Sequence, residues 1–334
     1  MDTLTYIGAM AGRHLKALLA AHRDRDDLAF RRAAQAIIEE EEAKRHVVLA
    51  QDLRRLLVSG SGDRLSLSEI PLPDPPKDRD SAVPLVDVAM SDRFVGDLIL
   101  NQELAHTLRE LAIEVGLWGT LDAVGVPRRN RILLYGPPGC GKTSIASALA
   151  AELGRPLVTV RIDSVVSSYL GETASNLRRV MEFARSGPYV VLFDEFDSLG
   201  KDRDDPSDHG ELRRVVNAML QLIDGYTGPS IIVAATNHEQ VLDNALWRRF
   251  DEVLNIPPPD HSQMTELIQR LLVGRRAENV DELAAADGLV GLPHAAGEYA
   301  VHSALRVAVA DGRMHATQSD LMQGVRRAGS RRWS

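Results

Sequence analysis

The sequence predicts an α/β fold: a three-layer domain with a parallel sheet, followed by a small all-α domain and preceded by an N-terminal helical domain. The sheet is predicted because four short apolar runs alternate with helical segments. These runs span residues 131–135, 156–162, 189–193 and 231–235. The flanking domains are predicted because the chain before residue 59 and after residue 257 has helical periodicity alone.

Changes in composition divide the chain into four parts. Residues 1–58 are predicted to form a helical bundle, either one that recognises a partner or substrate or one without a specific partner. Residues 59–83 contain Gly/Ser and proline-rich runs, which cannot hold helix or sheet interiors and therefore form a linker. Residues 84–256 are the predicted α/β domain, and residues 257–334, which begin with three prolines, are the small helical domain.

Composition argues against several classes of partner. A net charge of -8 over 334 residues gives no electrostatic reason to bind nucleic acid or an anionic membrane. Cys140 is the only cysteine in the sequence, so an intrachain disulfide is impossible, as suits a reducing compartment. The sequence has no apolar run of membrane-spanning length and no basic region of a secretory signal. We therefore expect a cytoplasmic protein with no membrane partner, and the charge argues against a nucleic-acid partner.

A glycine-rich turn follows the first apolar run and fits the pattern G-x-x-x-x-G-K-[ST]. Its glycines let backbone N–H groups approach an anion, and the following helix adds the positive end of its dipole. Lys142 would reach the β- and γ-phosphates of a nucleotide, and the Thr143 hydroxyl would bind Mg²⁺. The strand before and the helix after argue against a turn that binds nothing. The predicted phosphate turn and its flank comprise Gly136, Pro137, Pro138, Gly139, Cys140, Gly141, Lys142, Thr143 and Ser144.

Polar residues follow the third and fourth apolar runs. Asp194 and Glu195 lie at the strand end where ligands bind in an open parallel sheet. Asp194 would hold Mg²⁺, and Glu195 would polarise the water that attacks the γ-phosphate. Asn237, after the fourth run, would contact the γ-phosphate or that water. Arg248 and Arg249 follow at short spacing, which suggests guanidinium groups that stabilise the transferring phosphoryl group.

Taken in this order, the motifs over roughly residues 88–327 resemble those of the AAA ATPases. The similarity is to the classical group that includes katanin-like, proteasomal and FtsH-like motor domains. It implies that the phosphate turn is Walker A, that Asp194 and Glu195 are Walker B, and that Asn237 is sensor 1. It also implies that Arg248 and Arg249 complete the site of a neighbouring subunit. The implied ligands are ATP and Mg²⁺, and the implied assembly is an ATP-dependent homo-oligomeric ring, commonly a hexamer.

The resemblance extends to the part of the nucleotide site that binds the base, but this sequence differs from the family pattern at two places. Leu98 and Ile99 lie where the family contacts adenine, and His294 with Ala295 replaces the family's small Gly-Ala contact. The family normally separates its two arginines by Pro-Gly, whereas here they are adjacent. The division of labour between the two arginines is therefore open.

Two further segments resemble family motifs. One is similar to an inter-subunit signalling motif, with a tyrosine where a phenylalanine is usual; it consists of Asp224, Gly225 and Tyr226. The other is similar to a pore loop that grips unfolded polypeptide, although an aromatic packed at a helix cap is the alternative; it consists of Tyr169, Leu170 and Gly171.

The sequence thus predicts an ATP hydrolase whose ring remodels, unfolds or threads a protein. By analogy with small bacterial proteins of this shape, its partner could be a separate effector, such as a subtilisin-like protease in phage defence or plasmid maintenance. A nucleotide-dependent regulator that holds an effector inactive stays open, and would not need Tyr169. A nucleic-acid loader also stays open, but the acidic charge and the aromatic loop argue against it.

Overall fold

The computed structural model describes residues 74–166, 170–195, 219–237 and 247–333, together with Ala33 and Ile37. The chain divides into two compact units, Met1–Pro71 and Leu72–Ser334. The break between them falls inside the predicted linker. In the first unit Ala33 and Ile37 are helical; the rest of the predicted N-terminal bundle lies outside the described residues.

The described part of the second unit contains a six-stranded sheet. Its strands are β1 Val86–Ala89, β2 Arg131–Tyr135, β3 Leu157–Val160, β4 Val190–Phe193, β5 Ile231–Thr236 and β6 Glu252–Asn255. Their spatial order is β1-β3-β4-β5-β2-β6. Strand β1 is antiparallel to β3, and every other neighbouring pair in this sheet is parallel.

The predicted parallel sheet is confirmed, and its four predicted strands are the central ones, β2 to β5. The edge strands β1 and β6 are additions to the prediction. Each is four residues long, and a single residue of each is buried: Val86 in β1 and Leu254 in β6. Strands so short, with one buried face, lack the continuous apolar run that marks a central parallel strand.

Helices cover the sheet and form the C-terminal lid. The α/β part contains α1 Gln102–Gly116, α2 Trp118–Ala123, α3 Lys142–Glu152, α4 Ile162–Val165 and α5 Leu170–Ser186. Residues 219–224 are also helical, and the earlier part of the helix predicted to end there lies outside the described residues. The lid contains α6 His261–Leu272, α7 Glu282–Asp287, α8 His294–Ala310 and α9 Gln318–Gly329. Within the described ranges, no helix has the length and apolar character needed to cross a bilayer.

Side chains that point alternately to the two faces of the sheet produce the three layers. In β4, Val191 and Phe193 pack in a cluster with apolar residues of α5, while Val190 and Leu192 pack with residues of α1 and α3. All four side chains are fully buried. Successive residues of a strand point to opposite faces, so a run that is apolar throughout requires helices on both sides.

The lid helices share a hydrophobic cluster, to which Ile99 also belongs. Helices α6 and α9 begin with side-chain caps: Asp260 accepts a hydrogen bond from the N–H of Gln263, and Thr317 accepts one from the N–H of Asp320. Helices α8 and α9 pack so closely that a Cβ added at Gly324 would lie 2.1 Å from the carbonyl oxygen of Ala300. The lid is therefore a tightly packed body.

Candidate active site

The phosphate turn joins β2 to α3 and has the backbone of an anion site. Its φ angles are 142° at Gly136, 72° at Gly139 and 94° at Gly141, a region that favours glycine. A Cβ at Gly136 would lie 2.2 Å from the carbonyl oxygen of Ile256, so glycine is required there. Helix α3 begins at Lys142 without a side-chain cap. The turn thus meets a helix N-terminus, where the peptide dipoles favour a negative charge.

Lys142 is held against this turn. Its side chain is buried, and its Nζ donates 2.8 Å hydrogen bonds to the carbonyl oxygens of Gly136 and Pro137. Burial of an ammonium group is costly without polar partners, and the turn supplies them. An anion bound in the turn would meet this cation at close range, as expected for a lysine that contacts nucleotide phosphates.

A hydrogen bond between Thr143 and Asp194 joins the start of α3 to the end of β4. The Thr143 hydroxyl donates a 2.6 Å hydrogen bond to Asp194 Oδ2. Hydroxyl and carboxylate oxygens are ligands that Mg²⁺ prefers, and neither side chain is buried. The pair therefore fits Mg²⁺, which these two residues would hold. When bound, the ion would neutralise phosphate charge.

Glu195 adopts an unusual backbone conformation at the predicted water-activating position. Its φ is 49°, and its N–H donates a 2.9 Å hydrogen bond to Asp194 Oδ1. A left-handed conformation costs a residue with a side chain about 1–2 kcal/mol. Backbone strain of this kind concentrates at functional sites. The side chain is exposed and follows the carboxyl end of β4. Its role as a base stays a prediction.

The sheet order brings Asn237 to the same edge as these groups. Strand β5 lies between β2 and β4, with Thr236 paired to Tyr135 and Ala234 paired to Phe193. Asn237 is the first residue after β5. The carboxyl ends of parallel strands meet at one edge of a sheet. Asn237 therefore follows a strand whose neighbours on its two sides carry the phosphate turn and the two carboxylates.

The two predicted arginine fingers have different surroundings. Arg248 is exposed, whereas Arg249 forms a 2.8 Å ion pair with Asp224. Tyr226, from the predicted signalling segment, is buried, and its hydroxyl donates a hydrogen bond to the carbonyl oxygen of Ala184. Burial raises the pKa of that hydroxyl. The inter-subunit roles of both arginines and of this segment stay predictions.

The lid helix α8 contacts the phosphate turn directly. The Ala295 N–H donates a 3.1 Å hydrogen bond to the Gly139 carbonyl, and His294 Nε2 lies 3.2 Å from the Ile99 carbonyl oxygen. A Cβ at Gly139 would lie 3.0 Å from that of Ala295, so the glycine permits this approach. Leu98 packs with the α/β core. The structure thus brings Ile99, His294 and Ala295 together beside the phosphate turn, and their contact with a base stays a prediction.

Residues 95–100 connect the lid to the α/β part, and sequence reasoning did not predict this connection. Within residues 95–100, Val95 packs in the α/β core, while Ile99 packs in the lid core. Arg270 of α6 donates a 3.1 Å hydrogen bond to the carbonyl oxygen of Asp97. The partners are 173 residues apart, and no local pattern marks such a contact.

The predicted pore loop lies at the edge of the described residues. Tyr169 lies outside them, and Leu170 and Gly171 are the first residues of α5. Their contact with a polypeptide substrate stays a prediction.

His294 predicts a pH dependence of stability. Burial lowers its pKa below the ordinary value of 6.5, against opposing effects of the Ile99 carbonyl and Glu298. Below pH 6.5 the unfolded chain therefore binds a proton that the folded chain resists, so the free energy of unfolding should fall as the pH falls. The variant His294→Gln cannot titrate but can still donate a hydrogen bond to the Ile99 carbonyl. We expect its free energy of unfolding to fall less than that of the wild type when the pH is lowered.

Urea unfolding at pH 7.5 and 5.5 measures this effect. His302→Gln, on the exposed part of the same helix, is the matched control. Equal losses in the wild type and His294→Gln would show that His294 does not carry the effect.

Comparison with known proteins agrees with this architecture. The family model described as "ATPase family associated with various cellular activities (AAA)" matches residues 132–258. An uncharacterised AAA family ATPase of Sinorhizobium fredii, y4kL, is 41% identical over 77% of this chain and 77% of its own length. The proteasome-activating nucleotidase of Pyrococcus abyssi is 34% identical over 61% of this chain, which spans 53% of that protein. The crystal structure of the FIGL-1 AAA domain matches with a TM-score of 0.60 at 25% identity, covering 73% of this chain and 85% of that one.

The fold, with its glycine-rich turn between β2 and α3, is that of a P-loop nucleotide-binding domain. The chain belongs to the AAA ATPase family and is an ATP hydrolase of the classical group. AAA ATPases bind ATP, typically with Mg²⁺.

Proposed function

We propose that this ATPase works in a homo-oligomeric ring, where it hydrolyses Mg²⁺-ATP to remodel, unfold or thread a protein. The observation that supports the site most strongly is the 2.6 Å hydrogen bond between Thr143 and Asp194. It joins the phosphate turn to the strand that carries both carboxylates. Similarity to a proteasome-activating nucleotidase supports work on proteins. A cytoplasmic location and pairing with a separate effector, such as a subtilisin-like protease, stay predictions.

In the proposed reaction, each group has one task. The phosphate turn and Lys142 bind the phosphates, and Thr143 with Asp194 holds Mg²⁺. Glu195 accepts a proton from the attacking water, and Asn237 orients that water or the γ-phosphate. The water oxygen bonds to the γ-phosphorus as the bond to the leaving oxygen breaks, which gives ADP and phosphate.

The position of the arginines supports a site shared between subunits. Residues 247–251, here called the arginine turn, are tied to the first residue of β2 by an ion pair between Arg131 and Asp251. The phosphate turn follows Tyr135, the last residue of β2, about 13 Å further along the strand. Asp251 is therefore held about a strand's length from its own phosphate turn, which supports action of the arginine turn on a neighbouring subunit.

Protein threading is tested at Tyr169. The probe is a fluorescent β-barrel protein with a long unstructured tail, and the readout is the number of molecules unfolded per ATP hydrolysed. We expect Tyr169→Ala to lower this ratio about tenfold, because a flat apolar grip is lost. Tyr169→Phe, which keeps the ring, is the matched control and should retain the ratio.

If Tyr169→Ala unfolds as many molecules per ATP as the wild type, the threading proposal is wrong. If that variant also keeps an effector inactive, ATP serves the regulator function instead. Stimulation of the ATPase by DNA would favour the loader.

A further inference from the structure

The arginine turn is anchored within its own subunit at three points. Trp247 packs edge-on against Tyr135, with ring centroids 4.9 Å apart and planes at 87°. Phe250 is buried in the core. Asp251 accepts hydrogen bonds from the backbone N–H groups of Asn130 and Arg131, at 3.1 and 3.0 Å. Between these anchors lie the two adjacent arginines.

Arg249 forms an ion pair within its own subunit. Its Nη1 lies 2.8 Å from Asp224 Oδ2, and the two side chains are 29% and 43% exposed. Asp224 also acts electrostatically on Arg131, whose pKa is raised mainly by its hydrogen bond to Asp251 and further by Asp224. The Asp224 carboxylate thus interacts with both Arg249 and Arg131. Because the carboxylate offsets the field of the guanidinium, an arginine paired in this way attracts a phosphate less strongly.

Arg248 differs from its neighbour. Its side chain is exposed, and it forms no ion pair with any residue in the part of the chain that the structure describes. Arg249 is thus held by its own subunit, whereas Arg248 in the same turn is open to solvent. A planar, permanently charged guanidinium on an anchored turn is suited to a phosphoryl group presented by another molecule.

We infer that the two arginines divide the work: Arg248 alone reaches the phosphates of the neighbouring subunit, and Arg249 is a positioning residue that fixes the arginine turn through Asp224. This inference rests on the proposed shared site. It also accounts for the missing Pro-Gly spacer, because only one of the two side chains has to cross the subunit boundary. The pair Asp224–Arg249 then links the predicted signalling segment to the turn that carries Arg248.

Steady-state ATPase assays of single and paired variants test this division. We expect Arg248→Ala to lower kcat about 10³-fold, and Arg248→Lys to recover little because the planar fork is lost. We expect Arg249→Ala and Asp224→Asn each to lower kcat about tenfold, and their combination to be no worse than either alone. Arg249→Lys, which keeps the ion pair, should retain most activity, and exchanging the charges with Asp224→Arg and Arg249→Asp should restore part of it.

The matched control is Arg128→Ala. Arg128 pairs with Asp122, and these side chains are 30% and 44% exposed, almost the same as Arg249 and Asp224. It should leave kcat unchanged. Thermal melting of each variant checks folding, and Arg249→Lys keeps the test valid if Arg249→Ala does not fold.

The outcomes separate the division of labour from the shared site. If Arg249→Ala lowers kcat as much as Arg248→Ala while Asp224→Asn is normal, Arg249 also contacts phosphate and the inference is overturned, with the shared site intact. If neither arginine variant lowers kcat, the shared site itself is wrong. Mixed assemblies with Lys142→Ala subunits should rescue Arg248→Ala, because those subunits carry Arg248 while their own ATP binding is strongly weakened.

Discussion

Lys142→Ala is expected to weaken ATP binding by about 100-fold or more, because hydrogen bonds to charged phosphates are among the strongest in proteins. The ammonium group is buried against the phosphate turn and donates to two of its carbonyl oxygens. Its removal takes away the only positively charged side chain of that turn. Isothermal titration with ATP and Mg²⁺ measures the loss.

Lys77→Ala is the control for this experiment, since Lys77 is an exposed lysine outside the proposed site. It should bind ATP like the wild type. Unchanged affinity in Lys142→Ala would mean that the glycine-rich turn is not the phosphate site.

Glu195→Gln is expected to bind ATP normally and to hydrolyse it about 10²–10⁴ times more slowly, because an amide cannot accept the proton of the attacking water. Glutamine has nearly the same shape, so the strained backbone at φ 49° should be affected equally in both proteins. Single-turnover hydrolysis, with nucleotide content measured in parallel, separates chemistry from binding.

Glu182→Gln, on the exposed part of α5, is the matched substitution and should leave hydrolysis unchanged. A wild-type single-turnover rate in Glu195→Gln would assign water activation to another group.

The predictable part of the fold is the part that is buried on both faces. Strand β4 is apolar at all four positions, and its sequence alone requires helices on either side. The helices α6 and α9 have caps within the sequence itself, at Asp260 and Thr317. Strand β6 could not be predicted in the same way, because Leu254 is its one buried residue and its pairing with β2 depends on the finished sheet.

The candidate site likewise has one part that the sequence predicts and another that it does not. The phosphate turn is contiguous, so its glycines, Lys142 and Thr143 mark it in the sequence. The different surroundings of Arg248 and Arg249 could not be predicted, because Asp224 is 25 positions away and no local pattern links the pair. The same holds for the contact of Ala295 with Gly139, which needs the lid already folded against the α/β part.

In the proposed ring, the active site is completed only between subunits. The most direct test is the mass of the Glu195→Gln protein by light scattering, with and without ATP and Mg²⁺, because slow hydrolysis should trap the assembled state. We expect an ATP-dependent shift to roughly six subunits, as symmetric closure and the family resemblance suggest. A Glu195→Gln protein that binds ATP yet stays monomeric would contradict this expectation, because Arg248 would then have no neighbouring site to reach.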